Sequence, residues 1–201
     1  MKLRHRSTSP FVRKVMIVAL ETGLGGRLEL VPGDPWAPDT DLPQDNPLNK
    51  LPALLTDEGE RLYDSPVICE YLDSLHGGDK LFPAAGSRRW IALRRQALAD
   101  GLLDACVQLR VETTMRPDPC RWAKWSARQT AIIERALDQF ESEAPDLAGP
   151  FTIGHVALVC ALGFLDFRSI IADWRDRHPR LAAWYAEAAR RPSVVATTPH
   201  D

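Results

Sequence analysis

Over roughly the first eighty residues the apolar positions change their spacing every ten or so, and beyond them they keep a helical spacing. Lys2 to Arg6 reads as a short strand. Ser9-Pro10 then supplies an N-cap hydroxyl with proline at the first helical position, and the stripe Phe11, Val12, Val15, Ile17, Val18 and Leu20 carries a helix to about Gly23, a left-handed terminator. Arg27 to Val31 is a second strand, giving β-α-β. Pro32 to Pro47 contains five prolines, which exclude a regular helix and mark a long irregular connection. Pro52 to Thr56 and Arg61 to Tyr63 flank Asp57-Glu58-Gly59-Glu60 as a hairpin, and Ser65-Pro66 repeats the N-cap and proline device for a helix ending at Gly77-Gly78.

The order β-α-β, loop, β-β-α is that of an α/β thioredoxin-like domain, its first two strands parallel and its hairpin completing a mixed sheet. After a Gly/Pro-rich connector no strand pattern remains. Ser87 to about Thr114 and about Pro119 to Glu143 are long amphipathic helices, and Pro179 to Arg190 is a last clear one. Val156 to Ile170 is apolar nearly all round, as expected of the middle helix of an all-α bundle. The expected division is residues 1–78 for the α/β half, 79–86 for the linker and 87–201 for the helical half.

At 201 residues the chain can bury enough surface to fold without staples. Cys69, Cys106, Cys120 and Cys160 form no CxxC pair and no zinc-site spacing, so reduced thiols and a cytoplasmic location are expected. The basic start runs into no apolar signal core, and no window has the length of a membrane span. A net charge of −2 argues against nucleic acid as a partner. The basic pairs Arg88-Arg89, Arg94-Arg95 and Arg190-Arg191 alternate with carboxylates and read as solvated helix faces. Gly23-Leu24-Gly25-Gly26 follows a helix and precedes a strand, the reverse of a nucleotide-binding loop. No metal motif is present.

Three sites could carry chemistry. Ser9 sits where a strand gives way to a helix, its hydroxyl beside unpaired N–H groups and the positive helix end, although capping alone also accounts for it. Leu51-Pro52 precedes a strand, and a cis bond there would turn the preceding backbone outward to pair with an extended peptide. Asp64-Ser65, a carboxylate before an N-cap serine, suits an α-amino and an α-carboxylate group.

Ser9-Pro10-Phe11-Val12-Arg13-Lys14-Val15, Asn46-Pro47-Leu48-Asn49-Lys50-Leu51-Pro52-Ala53-Leu54, Tyr63-Asp64-Ser65-Pro66 with its helix, and Ala161-Leu162-Gly163-Phe164-Leu165-Asp166-Phe167-Arg168 occur in register. Together they resemble the glutathione S-transferase family, in the serine-type form of the tau and zeta classes. The resemblance covers the whole chain and implies a homodimer with glutathione as co-substrate and with no metal or nucleotide. It implies that Ser9 donates to the glutathione sulfur, with Thr8 and Ser7 as alternatives. Leu51 and Pro52 would hold the cysteinyl part, Lys50 the tripeptide by charge, and Asp64 and Ser65 the γ-glutamyl end. Phe11, Arg110, Thr114 and Met115 would line the pocket for a small electrophile. The sequence departs from the family on the first strand, where Arg4-His5-Arg6 replaces aromatic or small residues. It departs again at the capping box Thr152-Ile153-Gly154-His155, which has histidine where an aspartate is usual. On the capping argument alone, His155→Asp should stabilise the fold by roughly 0.5 to 1.5 kcal/mol. A non-catalytic glutathione-binding or protein-interaction module is the rival class, and a thiol-disulfide reductase, which would want cysteine at Ser9, is a weaker one.

Overall fold

The computed structural model describes residues 1–200. β1 (Lys2–His5) leads into α1 (Pro10–Glu21), and β2 (Glu29–Pro32) returns parallel to β1. After the proline-rich loop, β3 (Ala53–Leu55) pairs antiparallel with β1 and with β4 (Arg61–Leu62), so the strand order is β2-β1-β3-β4. This is the thioredoxin-like mixed sheet that the element order predicts. α1 ends as its sequence suggests: Gly23 takes φ +73°, its N–H bonds to Leu20 O and that of Leu24 to Ala19 O, the paired bonds of a left-handed helix stop. α2 (Ser65–Ser74) completes this half.

α3 (Gly86–Arg110) runs on into a wider turn over Val111–Met115, and α4 (Ala123–Glu143) packs back along it. α4 starts four residues later than the sequence reading, because a short turn at Asp118–Cys120 occupies its expected first turn. α5 (Ile153–Arg168) is buried on nearly every side, as an apolar helix without a polar face must be. Two one-turn helices, α6 (Trp174–Arg177) and α8 (Pro192–Val195), flank α7 (Pro179–Ala188) and are too short for periodicity to announce.

α1 packs on α2 and also on α5 of the helical half, so it is covered on two faces. Val12, Val15, Ile17 and Val18 are buried as expected, but so are Arg13 and Lys14. Lys14, fully buried, closes on Asp100 of α3 with Nζ–O distances of 2.7 and 2.8 Å. Burial raises the Asp100 carboxyl above its ordinary value against the opposing pull of Lys14. Arg13 enters the space left by Gly163 of α5, where a Cβ would lie 2.2 Å from Arg13 Nη1 and 3.0 Å from Tyr185 Oη.

Two sequence expectations are corrected here. Arg94-Arg95 is not a solvated pair, for both guanidinia converge on Glu143 at 2.7 to 2.9 Å and Arg95 is buried. Hydrogen bonds from Arg94, then Arg95 and Gln139, hold the Glu143 carboxyl down at about 2 despite its burial. Arg191 is likewise engaged, paired with Glu21 and stacked over Phe151 at 4.0 Å. The second correction concerns His155. It does occupy the third position of α5, where Nδ1 accepts the Thr152 N–H at 3.0 Å. Its ring, however, is 5% exposed and lies against Phe151 and Trp184, with centroids at 5.7 and 5.9 Å. An aspartate would keep the cap and leave that ring-sized space empty, so the expected gain in stability becomes a loss. Burial, with the Arg95 charge adding, lowers the imidazole to about 4, so it is neutral and able to accept the bond.

Candidate functional site

The α1 start is built from a tight turn. The Ser9 N–H closes on Arg6 O at 3.0 Å, which leaves Ser7 and Thr8 as the turn's two central residues. Ser9 is the N-cap, and its Oγ accepts the Val12 N–H at 3.3 Å. A hydroxyl that accepts through a lone pair keeps its own proton to donate. The Phe11 N–H beside it has no partner among the described residues. Ser7 differs, because its Oγ already donates to His200 O at 2.9 Å, while the Thr8 hydroxyl makes no hydrogen bond among the described residues.

The loop before β3 brings the second group. Asn46 ties it locally, accepting the Leu48 N–H at 3.0 Å and donating to Lys50 O at 2.8 Å. Asn49 takes a left-handed φ of 52° and donates to Pro35 O, its Oδ1 buried without a partner. Neither asparagine was singled out as a loop anchor from sequence, though both types favour local backbone bonds and tolerate this conformation. The Leu51–Pro52 bond is cis, and neither the N–H nor the C=O of Leu51 is used within the described residues. β3 begins only at Ala53, so Leu51 stands at an open sheet margin, half-buried, with Lys50 exposed beside it.

At the α2 start the structure differs from the sequence reading in one respect. Asp64, not Ser65, is the N-cap: its carboxylate accepts the Ser65 N–H, and Ser65 is the first helical residue. The Tyr63–Asp64 bond is also cis. Ser65 is fully buried, and its Oγ has no hydrogen-bond partner. A buried hydroxyl without a partner costs about 1 to 3 kcal/mol and is uncommon in a settled interior.

α3 adds two carboxylates at helical i, i+4 spacing. Asp104 is raised by burial, and the Lys50 and Asp64 charges act on it in opposite senses. Asp64 also acts on Asp100. Lys50, Asp64 and the middle of α3 are therefore electrostatic neighbours, which periodicity alone could not show.

The second-substrate residues are more scattered. Phe11 is half-buried with its ring 5.8 Å from Lys14 Nζ, and Met115 is exposed on the wide turn after α3. The Thr114 hydroxyl donates to Arg110 O at 2.7 Å. None of these four residues lines the hollow of about 650 Å³ beside Ser7, whose walls include His5, Arg6, Asp34, Thr40 and His200. A roomier cleft of about 1580 Å³ opens at the far end of α1, between the connector and the starts of α3 and α5, and contains none of the site residues.

All four cysteines are free. Burial pushes the Cys69 thiol far up, Cys106 to about 12 and Cys160 to about 11, so none of these three is a ready thiolate. Cys120 lies exposed on the turn before α4. No cluster of metal-ligating side chains occurs among the described residues, and no helix there is long and apolar enough to cross a membrane.

A thioredoxin-like sheet half with an open α1 start, a cis-proline margin and an acidic α2 start, joined to a helical half, defines a class of protein. Residues 8–75 match the family model of the glutathione S-transferase N-terminal domain, and residues 123–187 that of the C-terminal domain. The chain is 33% identical over 202 residues to the uncharacterized GST-like protein YibF of Escherichia coli K12, covering 99% of this chain and 98% of that one. A glutathione transferase family member from Pseudomonas fluorescens Pf-5, solved with bound glutathione, superposes with a TM-score of 0.95 at 47% identity, covering 100% and 99% of the two chains. A glutathione S-transferase from Methylobacillus flagellatus KT, also with glutathione bound, gives 0.92 at 33% identity and 99% of each chain. The chain belongs to the glutathione S-transferase family.

Proposed function

We propose that this chain is a serine-type glutathione transferase, and the observation that carries the reading is the free Ser9 O–H at the open α1 start. A donor and a helix N-terminus both favour thiolate over thiol, and together they lower a thiol pKa of about 8.5 toward neutrality. The thiolate sulfur attacks an electrophilic carbon. A C–S bond forms, the leaving group departs with its electron pair or an epoxide C–O bond opens, and the thiol proton goes to solvent.

Glutathione fits the remaining groups. The unused Leu51 N–H and C=O suit strand-like pairing with the cysteinyl residue, with Pro52 fixing the margin and Lys50 adding charge. Asp64 suits the γ-glutamyl amino group, and the unpartnered Ser65 Oγ suits its carboxylate. The electrophile would lie toward Phe11, Arg110, Thr114 and Met115. The division at 1–78, 79–86 and 87–201, a detoxifying role in the cytoplasm, and a twofold homodimer formed by α2 and α3 belong to the same reading. Calorimetry with glutathione beside conjugation assays over aryl halides and epoxides, and an assay of glutathione oxidation by peroxides, tests it. Binding with turnover supports the transferase, and binding without turnover on any electrophile selects the non-catalytic module. Light scattering giving a monomer mass at micromolar concentration would remove the dimer.

A further inference from the structure

Residues 191–200 run back along the whole of α1. At its C-terminal end Arg191 closes on Glu21 with bonds of 3.1 and 2.7 Å, and Ser193 Oγ donates to the same carboxylate. In the first turn of the helix Arg13 donates to Val194 O at 3.2 Å and to Thr197 Oγ at 3.5 Å. Beyond the N-terminal end, Ser7 Oγ donates to His200 O at 2.9 Å. The 12 residues of α1 span about 18 Å. The strap therefore has three anchors over that length, and the last one is on the turn, not on the helix.

That anchor has leverage because of where Ser7 stands. The turn closed by Ser9 N–H and Arg6 O has Ser7 as its second residue, so fixing Ser7 fixes the path by which the chain arrives at Ser9. Ser7 has one hydroxyl proton, and it is donated to the His200 carbonyl oxygen, so the side chain is committed to holding the turn. Among the described residues Ser9 itself has only one side-chain bond, the 3.3 Å contact with Val12 N–H, to orient its hydroxyl.

We infer that residues 197–200 are a positioning element for Ser9: the Ser7–His200 bond holds the turn of residues 6–9, and with it the direction of the Ser9 O–H. The inference rests on the transferase reading above, in which that O–H meets the glutathione sulfur. A donor that must lie on a small, moving centre of charge loses effect steeply with misplacement, whereas binding of the rest of the tripeptide at Leu51 and Ser65 does not pass through this turn.

Three variants test it: Ser7→Ala, a chain stopped after Ala196, and the two combined. Bound glutathione is titrated by the ultraviolet absorbance of its thiolate, turnover is measured on one reactive aryl halide, and affinity is measured by calorimetry. Each single variant is expected to raise the bound thiol's pKa and lower turnover by about three- to thirtyfold, with affinity within about twofold of wild type. The combination should lose no more than the shortened chain alone, since the Ser7–His200 bond is already gone from that chain. Wild-type thiolate titration and turnover in the shortened chain would overturn the inference. So would losses that multiply in the combination, which would make Ser7 a direct partner of sulfur. A fall in melting temperature with ionisation unchanged would reduce the strap to a structural brace and overturn it as well. If wild-type protein binds glutathione without ionising it, the transferase reading falls first; if wild type ionises it and the variants do too, only the strap falls.

Discussion

The helix starts of the sheet half and the start of α5 in the helical half use similar residues to opposite ends. At α5, His155 Nδ1 accepts the Thr152 N–H and Phe151 and Trp184 close over the imidazole, so the helix start is sealed from outside although His155 Nε2 is buried without a hydrogen-bond partner among the described residues. Among the described residues the Ser9 proton and the Phe11 N–H are left over at α1, and the Ser65 hydroxyl is left over inside the protein at α2. The same contrast runs along α1 itself, whose middle is sealed by Lys14–Asp100 while its start is open. At the α1 and α2 starts the leftover groups are those that the proposed ligand would complete, whereas the unpaired His155 Nε2 and Arg13 Nη1 lie within closed packing.

The contrast can be broken by exchanging the two kinds of site. The largest effect is expected in the seam: Lys14→Met strands Asp100 and should cost about 3 to 5 kcal/mol at neutral pH in chemical denaturation. Asp100 has a raised folded pKa, so the deficit should be smallest below the ordinary carboxyl value near 4 and grow as pH rises through the folded value. A deficit independent of pH would mean that lost packing, not the stranded charge, dominates. At the open α1 start, Ser9→Ala should lower conjugation turnover by roughly ten- to a thousandfold, with a smaller change in glutathione affinity. The lost cap should cost about 1 kcal/mol of stability. An unchanged rate would move the donor's role to Thr8, because the Ser7 proton is already committed.

At α2 the comparison sharpens. Ser65→Ala should weaken glutathione binding by about 1 to 3 kcal/mol while leaving the unliganded fold as stable or slightly more so, since an unpaired buried hydroxyl is removed. A less stable unliganded protein would show that Ser65 is matched in a way the contrast does not allow. The smallest effect is expected at the α5 start. His155→Asp should cost about 1 to 2 kcal/mol, as lost ring contacts outweigh the better charge for a helix N-terminus, with glutathione affinity unchanged. Because burial depresses the folded imidazole to about 4, wild type should also lose stability as pH falls from about 6.5 toward 4, a component that the variant should lack. Melting temperatures across that window, wild type beside variant, decide it.

Much of the fold was legible because its signals are local. Ser9-Pro10 and Gly23 bracket α1, five prolines mark the loop, and the element order implies the sheet. The candidate site was legible only through the resemblance of four short segments, since each alone reads as a cap or a strand start. What stayed hidden is what depends on distant chain. Periodicity gave α1 one buried face and could not announce the second, where Lys14 and Arg13 meet α3, α5 and α8. His155 read as an imperfect cap because its neighbour Trp184 lies 29 residues on, and Arg95 read as solvated because Glu143 lies on another helix. At α2, adjacent residues that can both cap made the choice between Asp64 and Ser65 a matter of one position, below what sequence signals resolve.

Gly163 turns the seam between the sheet half and the helical half into a lock and key. The missing Cβ is the keyhole, and Arg13, carried by the sheet half, is the blade. A side chain at position 163 would have to displace the end of the Arg13 guanidinium, so the two residues are sterically coupled although 150 positions separate them. Chimeras that join the sheet half of this chain to the helical half of a relative should unfold cooperatively only where glycine stands at that level of the central helix, whatever the overall identity of the donor. A cooperative melt from a chimera with alanine there would show that the lock is looser than its geometry.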